Sequence, residues 1–144
     1  MDIDADPEAV CEVIRDWPAW PETFPSTIAA VTLLASTESS LTLQVQHKTE
    51  GSVINILEPD QGGVIRLKEF KRSYDAQFSF FSMPACSGSV LHVHGCIWLK
   101  GWLAWLSCAT TPLARSRMRK YLLEPVRLRA EQLGSASPIL KQAP

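Results

Sequence analysis

The sequence predicts an α+β fold, a curved antiparallel β-sheet of about six to seven strands wrapped around a long C-terminal α-helix, with a short helix pair near the N-terminus. Three observations carry this. Apolar residues recur with a helical period at both ends of the chain and alternate strictly in between. Turn residues separate the alternating runs at hairpin spacing, which implies an antiparallel sheet with one wet face. Only the C-terminal stripe of apolar residues is long enough to cover the other face.

Asp6-Pro7-Glu8 starts the first helix. It provides an N-cap acceptor, a proline at the first helical position and an acid where the helix dipole favours negative charge. Val10, Val13, Ile14 and Trp17 follow at helical spacing. Trp17-Pro18-Ala19-Trp20-Pro21 ends it, because each proline disfavours helical geometry in the residue before it. Glu22 to Phe24 forms one short turn, and Trp17, Trp20 and Phe24 are expected to pack helix against core.

From residue 30 the period changes to two. Ala30 to Leu34 is a short strand, and Leu41, Leu43, Val45 and His47 alternate with Thr42, Gln44, Gln46 and Lys48. Glu50-Gly51 marks a turn before Val53 to Leu57, and Pro59-Asp60-Gln61-Gly62-Gly63 closes that strand. Val64 to Phe70 and Tyr74 to Phe81 follow, with Ala76, Phe78 and Phe80 sharing a face. After a loop from Pro84 to Gly88, Val90 to Leu99 places Leu91, Val93, Ile97 and Leu99 on one side.

Thr111-Pro112 then caps the long helix. At about 100° per residue, Met118, Leu122, Val126, Ala130 and Leu133 fall in one sector, opposite Arg117, Lys120, Glu124, Arg127 and Glu131. Pro125 lies inside this pattern and is expected to bend the helix or interrupt its hydrogen bonds. The expected organisation is a single domain over residues 1–133 and a flexible Ser/Pro-rich tail over 134–144.

The 144 residues suffice for one core, and 46% hydrophobic content with a net charge of −1 excludes a disordered or globally nucleic-acid-binding chain. The acidic opening Met1-Asp2-Ile3-Asp4-Ala5-Asp6 lacks the apolar stretch of a secretory leader. Cys11, Cys86, Cys96 and Cys108 show no metal or redox spacing and read as reduced, mostly buried thiols. The apolar run from Cys96 to Leu106 is broken by Lys100 and is too short to span a bilayer. A cytoplasmic protein is expected, with peripheral contact at the inner membrane surface as an alternative.

Ala5-Asp6-Pro7-Glu8-Ala9-Val10, then Asp16-Trp17-Pro18-Ala19-Trp20-Pro21, Phe24-Pro25, the Gly88 to Leu99 strand and the closing Tyr121 to Glu131 helix together resemble the START-like or SRPBCC superfamily. That superfamily has the helix-grip fold and includes polyketide cyclases, lipid-transfer domains, pollen-allergen-type ligand binders and coenzyme Q-binding proteins. The resemblance spans residues 4–133 and implies an apolar cavity between sheet and helix. It says little about chemistry, since fold does not fix function. The chain departs from the pattern at one place. Members begin with a full strand, whereas only Met1 to Asp4 precede this first helix, so either that strand is very short or the start is truncated.

Leu43, Val45, Ile65, Leu67, Phe78, Phe80, Leu91, Val93, Met118 and Leu122 are the candidate walls of such a cavity. Alternation aims His47 inward, where a neutral imidazole binds a ligand carbonyl or acts as a base; the simpler role is a hydrogen-bonded strand-end histidine. Glu69 continues the Ile65 and Leu67 face, against the simpler reading of a paired strand-end acid. Tyr74 offers a phenol at the cavity mouth, or core packing, and Asn55 is a lesser polar candidate. Arg115 and Arg129 fall in the apolar helical sector and could reach a ligand carboxylate or phosphate, although long stems also extend outward to solvent. His92 and His94 lie on the wet face as a solvated pair. There is no Gly-rich phosphate loop, HExxH, GxSxG or zinc spacing, so no metal and no cofactor is expected.

Trp102 and Trp105 beside Arg117 and Arg119 suit a bilayer interface, or else pack as core indoles beside a solvated basic face. No nucleic-acid recognition module is present. Three functions remain. The first is binding or transport of a hydrophobic small molecule such as a lipid, quinone or polyketide-like compound. The second is a cyclase/aromatase- or dehydratase-like enzyme using His47, Glu69 or Tyr74. The third is a membrane-surface protein acting through the Trp/Arg segment. The lack of a catalytic constellation favours the first.

Overall fold

A computed structural model of the protein describes residues 1–58, 64–101 and 111–135, with backbone alone at 111–113. Helix α1 (Pro7–Arg15) begins where Asp6 accepts a hydrogen bond from the Glu8 N–H at 3.0 Å and buries Val10, Cys11, Val13 and Ile14. A 3-10 turn (Trp17–Ala19) leads into α2 (Trp20–Thr23). The Trp20 indole N–H donates to the Ile14 carbonyl at 3.1 Å, and its ring meets Phe24 edge-on. The indole therefore satisfies its polar handle while staying buried.

Seven antiparallel strands form one sheet: β1 (Asp2–Ile3), β2 (Ile28–Ser36), β3 (Leu41–His47), β4 (Gly51–Glu58), β5 (Val64–Phe70), β6 (Tyr74–Pro84) and β7 (Ser89–Leu99). Their order is β1-β7-β6-β5-β4-β3-β2, so every neighbour except β1 is a hairpin partner. The first strand is two residues long, pairing Asp2 with Val90 and Ile3 with Ser89. Edge strand β2 carries two register irregularities, which bend it and blunt the edge.

The C-terminal helix runs as α3 (Thr111–Met118), a π turn (Arg119–Leu123) and α4 (Glu124–Ser135). The π turn ends beside Pro125, which has no N–H for the Tyr121 carbonyl and whose ring crowds it; widening the turn relieves both. The hydrogen-bond ladder is interrupted as expected, and the Glu124 N–H reaches back to the Arg119 carbonyl. The extra residue also shifts the helical phase. Val126 and Ala130 are fully buried and Leu122 and Leu123 pack on the core, but Leu133 is exposed. The helix continues through Gly134 and Ser135, and 136–144 lie outside the described residues.

The core sits on the concave face of the sheet. Helix α1 packs on β5, β6, β7 and α4, so it shares with α4 the covering that the sequence assigned to the terminal helix alone. Two of the cysteines expected to be buried are not: Cys86 is in the turn after β6 and Cys96 is on the outer face of β7, both exposed, while Cys11 is buried. Cys108 lies outside the described residues. Ile97 faces inward opposite Ala76 yet is exposed.

Candidate functional site

Two hairpins end at the same edge of the concave face. The β3–β4 turn brings His47 opposite Gly51, and the β5–β6 turn brings Glu69 opposite Ala76. Register then sets Asn55 directly between Leu43 and Glu69. Period two does the rest: Asn55 shares its face with Val53 and Leu57, and Glu69 shares its face with Ile65 and Leu67. The three polar residues His47, Glu69 and Tyr74 that alternation singled out thus lie at one end of an apolar floor.

Glu69 is well satisfied there. The Tyr74 hydroxyl donates to its Oε1 at 3.0 Å, and the Lys71 ammonium lies 3.1 Å from the same oxygen. Lys71 also donates to Glu50 and sits 4.9 Å from the centre of the Tyr74 ring. Both Lys71 and Glu69 side chains are only 12% exposed, which makes them a partly desolvated ion pair. Burial opposes the Lys71 charge, but hydrogen bonds to Glu50 and Tyr74 and the Glu69 charge outweigh it and raise the lysine above its usual value. Burial pushes the Tyr74 phenol up, helped by the Glu69 carboxylate. The Lys71 hydrogen bond holds the Glu50 carboxyl below its usual value, with Arg117 contributing from the helix above.

His47 and Asn55 are different. Burial, then the Lys71 charge, lowers the imidazole below the ordinary histidine value against the pull of Glu69 and Glu50, which favours the neutral ring. Its Nε2 is buried without a hydrogen-bond partner among the described residues, and so is Asn55 Oδ1, on a residue only 3% exposed. An unpaired polar atom buried in this way is costly, and it marks a place where a donor or acceptor from elsewhere belongs. A groove of about 330 Å³ lined by Glu50, Lys71 and Tyr74 opens beside this cluster. A second, of about 420 Å³, lies between α1, α2 and α4, lined by Glu12, Arg15, Thr23 and Arg129.

The apolar candidates Leu43, Val45, Ile65, Leu67, Phe80 and Leu91 are all buried, with Phe78, Val93 and Leu122 packed against them. Met118 is half-buried and reaches the sheet over Gly95, where an added Cβ would lie 3.0 Å from its methyl group. Arg115, Arg117 and Arg119 are exposed. Arg129 lies 3.8 Å from Glu22, away from the polar cluster. His92 and His94 are exposed on the outer face, His92 stacked on Phe81 at 4.8 Å. No group of three or more His, Cys, Asp or Glu able to hold a metal exists among the described residues. Trp102 and Trp105 lie outside those residues, and Trp98 is on the outer face, 54% exposed. No helix among the described residues is long and apolar enough to cross a membrane.

Sequence reasoning missed Lys71 and Glu50. Lys71 was within reach, because it continues the Ile65, Leu67, Glu69 alternation by one more step. Glu50 was not, since its pairing depends on two turns meeting across the sheet edge.

No protein-family model and no curated protein sequence matches the chain. Solved structures do. A START superfamily protein from Mycobacterium smegmatis is 21% identical, with 91% of this chain and 93% of that one covered at a TM-score of 0.69. The Zhui aromatase/cyclase from a Streptomyces species is 14% identical over 94% of this chain and 93% of its own, at 0.72. A STAR-related lipid transfer protein from Xanthomonas axonopodis is 16% identical over 90% and 82%, at 0.62. Such likeness speaks for architecture: the chain has the START-like helix-grip fold.

Proposed function

We propose that the protein binds a hydrophobic small molecule on the concave face, with the apolar body against the sheet and a polar end at the His47, Asn55, Glu69, Lys71 and Tyr74 cluster. The observation that carries this reading is the pair of buried polar atoms without a partner among the described residues, His47 Nε2 and Asn55 Oδ1, beside an apolar floor. Ligand sites combine these two elements, apolar walls and a few convergent polar groups. Solved structures of the same fold include an aromatase/cyclase and a lipid transfer protein, which is consistent with a lipid, quinone or polyketide-like ligand. The test is to purify the protein under mild conditions, denature it and identify co-purifying compounds by mass spectrometry. A stoichiometric hydrophobic compound supports the reading. A clean protein with no thermal shift across a lipid and quinone panel counts against it.

A second reading, a cyclase- or dehydratase-like enzyme, is favoured by one contact: Tyr74 and Lys71 converge on a single Glu69 oxygen. In that reading the phenol, polarised by the adjacent lysine, protonates a developing enolate oxygen, and neutral His47 accepts the proton removed from the substrate carbon. Cyclisation of a poly-β-ketone thioester by the wild type, reduced about hundredfold or more by Tyr74→Phe, would support it. Turnover unchanged by Tyr74→Phe and His47→Gln would remove it.

A further inference from the structure

The polar end of the ligand can be specified further, on the basis of the binding reading above. Lys71 is engaged by Glu50 and Glu69, and the Tyr74 proton is directed at Glu69. An anionic end group brought here would find Lys71 already paired and the Glu50 and Glu69 carboxylates beside it, with the exposed Arg117 on the helix above drawn to Glu50. What stays unsatisfied among the described residues is Asn55 Oδ1, which only accepts, and His47 Nε2, which accepts or donates according to tautomer. Asn55 is held between Leu43 and Glu69 on neighbouring strands, so it is a built part of the floor and not a mobile surface group. We infer that the site takes an uncharged amphiphile whose polar end is a hydroxyl, an alcohol or phenol, which donates to Asn55 Oδ1, and that it discriminates against carboxylate and phosphate ends. A hydroxyl both donates and accepts, which matches an acceptor-only amide oxygen next to an adaptable imidazole.

Two matched probe series test this: dodecanol, dodecanoate and dodecyl methyl ether, and naphthol, naphthoate and methoxynaphthalene. Each is titrated into the full-length protein, with binding read by tryptophan fluorescence and confirmed calorimetrically. In at least one series the hydroxyl compound binds about tenfold or more tightly than both of its partners, the size of one buried hydrogen bond. Asn55→Leu, of similar volume and without the acceptor, cuts that preference below about threefold, by the same logic. A carboxylate that binds the wild type as tightly as the hydroxyl overturns the inference, and so does a preference that Asn55→Leu leaves intact. If no probe of either series binds the wild type, the binding reading itself falls, so the two failures are distinguishable. Should Asn55→Leu fail to fold, the ranking of the three end groups on the wild type decides.

Discussion

Glu69 is charged at a position where alternation would place an aliphatic side chain, and its tolerance there depends on Lys71 and Tyr74. Removing one partner of a buried pair leaves an uncompensated charge, whereas removing both need not destabilise. Lys71→Met is therefore expected to cost about 3 kcal/mol in urea unfolding, and adding Glu69→Leu to recover at least half of that. A single variant no less stable than wild type would show the pair to be solvated. His47 makes a second prediction. Its folded-state value lies below the ordinary 6.5 because of burial and Lys71, with Glu69 and Glu50 opposing. The unfolded chain therefore binds the proton more readily, and stability drops as pH falls from about 6.5 towards the folded value. Glu50, also lowered, loses its contribution only below its ordinary 4.5, outside that window. Between about pH 7 and 5.5 the melting temperature of wild type should fall further than that of His47→Gln. Parallel pH profiles would remove His47 from the account.

At the scale of elements, two backbone features decide how the sheet closes and how the helix lies. Gly88 has φ +82°, and a Cβ there would stand 2.2 Å from the Ile3 carbonyl oxygen. It admits β1 against β7, where the Leu91 N–H donates to Met1 O at 2.8 Å. Gly88→Ala should destabilise by about 2 kcal/mol or more in chemical denaturation, combining backbone strain with a clash against main chain. Pro125 shapes the π turn. Pro125→Ala restores an N–H able to reach the Tyr121 carbonyl, so amide exchange should show regular α-helical protection through 119–125. An unchanged pattern would place the cause of the turn in the contacts of Leu122 and Leu123. The bounds of β3 and β5, the first cap and the helix interruption were legible, because local sterics and period two act over a few residues, whereas β2, β4 and β6 run two to three residues past the expected ends into segments read as turn or loop. The sharing of the concave face between α1 and α4 was not, since it depends on how the chain packs.

At the scale of the whole molecule, α1 and α4 fill one end of the grip, and the polar cluster sits at the other. The two ends do different work: Val10, Val126, Ala130, Leu91 and Phe80 hold the fold, while His47, Asn55, Glu69, Lys71 and Tyr74 are carried at its margin. A ligand that engages only the folded protein adds stability by mass action. At about 100 times its dissociation constant it should raise unfolding free energy by about 2.7 kcal/mol, read as a concentration-dependent thermal shift. A melting temperature that does not rise with ligand concentration would count against a site present only in the folded protein.

The sequence by itself determined the element order from the first helix onward, the inward faces of β3, β5, β6 and β7 and the alignment of His47, Glu69 and Tyr74 with the apolar floor, because periodicity and turn chemistry are local. Tertiary structure alone decided that Tyr74 and Lys71 meet on one oxygen of Glu69, that Glu50 joins them, and that Asn55 and His47 keep buried atoms without partners among the described residues. Those facts arise where turns distant in sequence meet at one sheet edge, and whether a buried polar atom finds a partner depends on positions that no local pattern encodes.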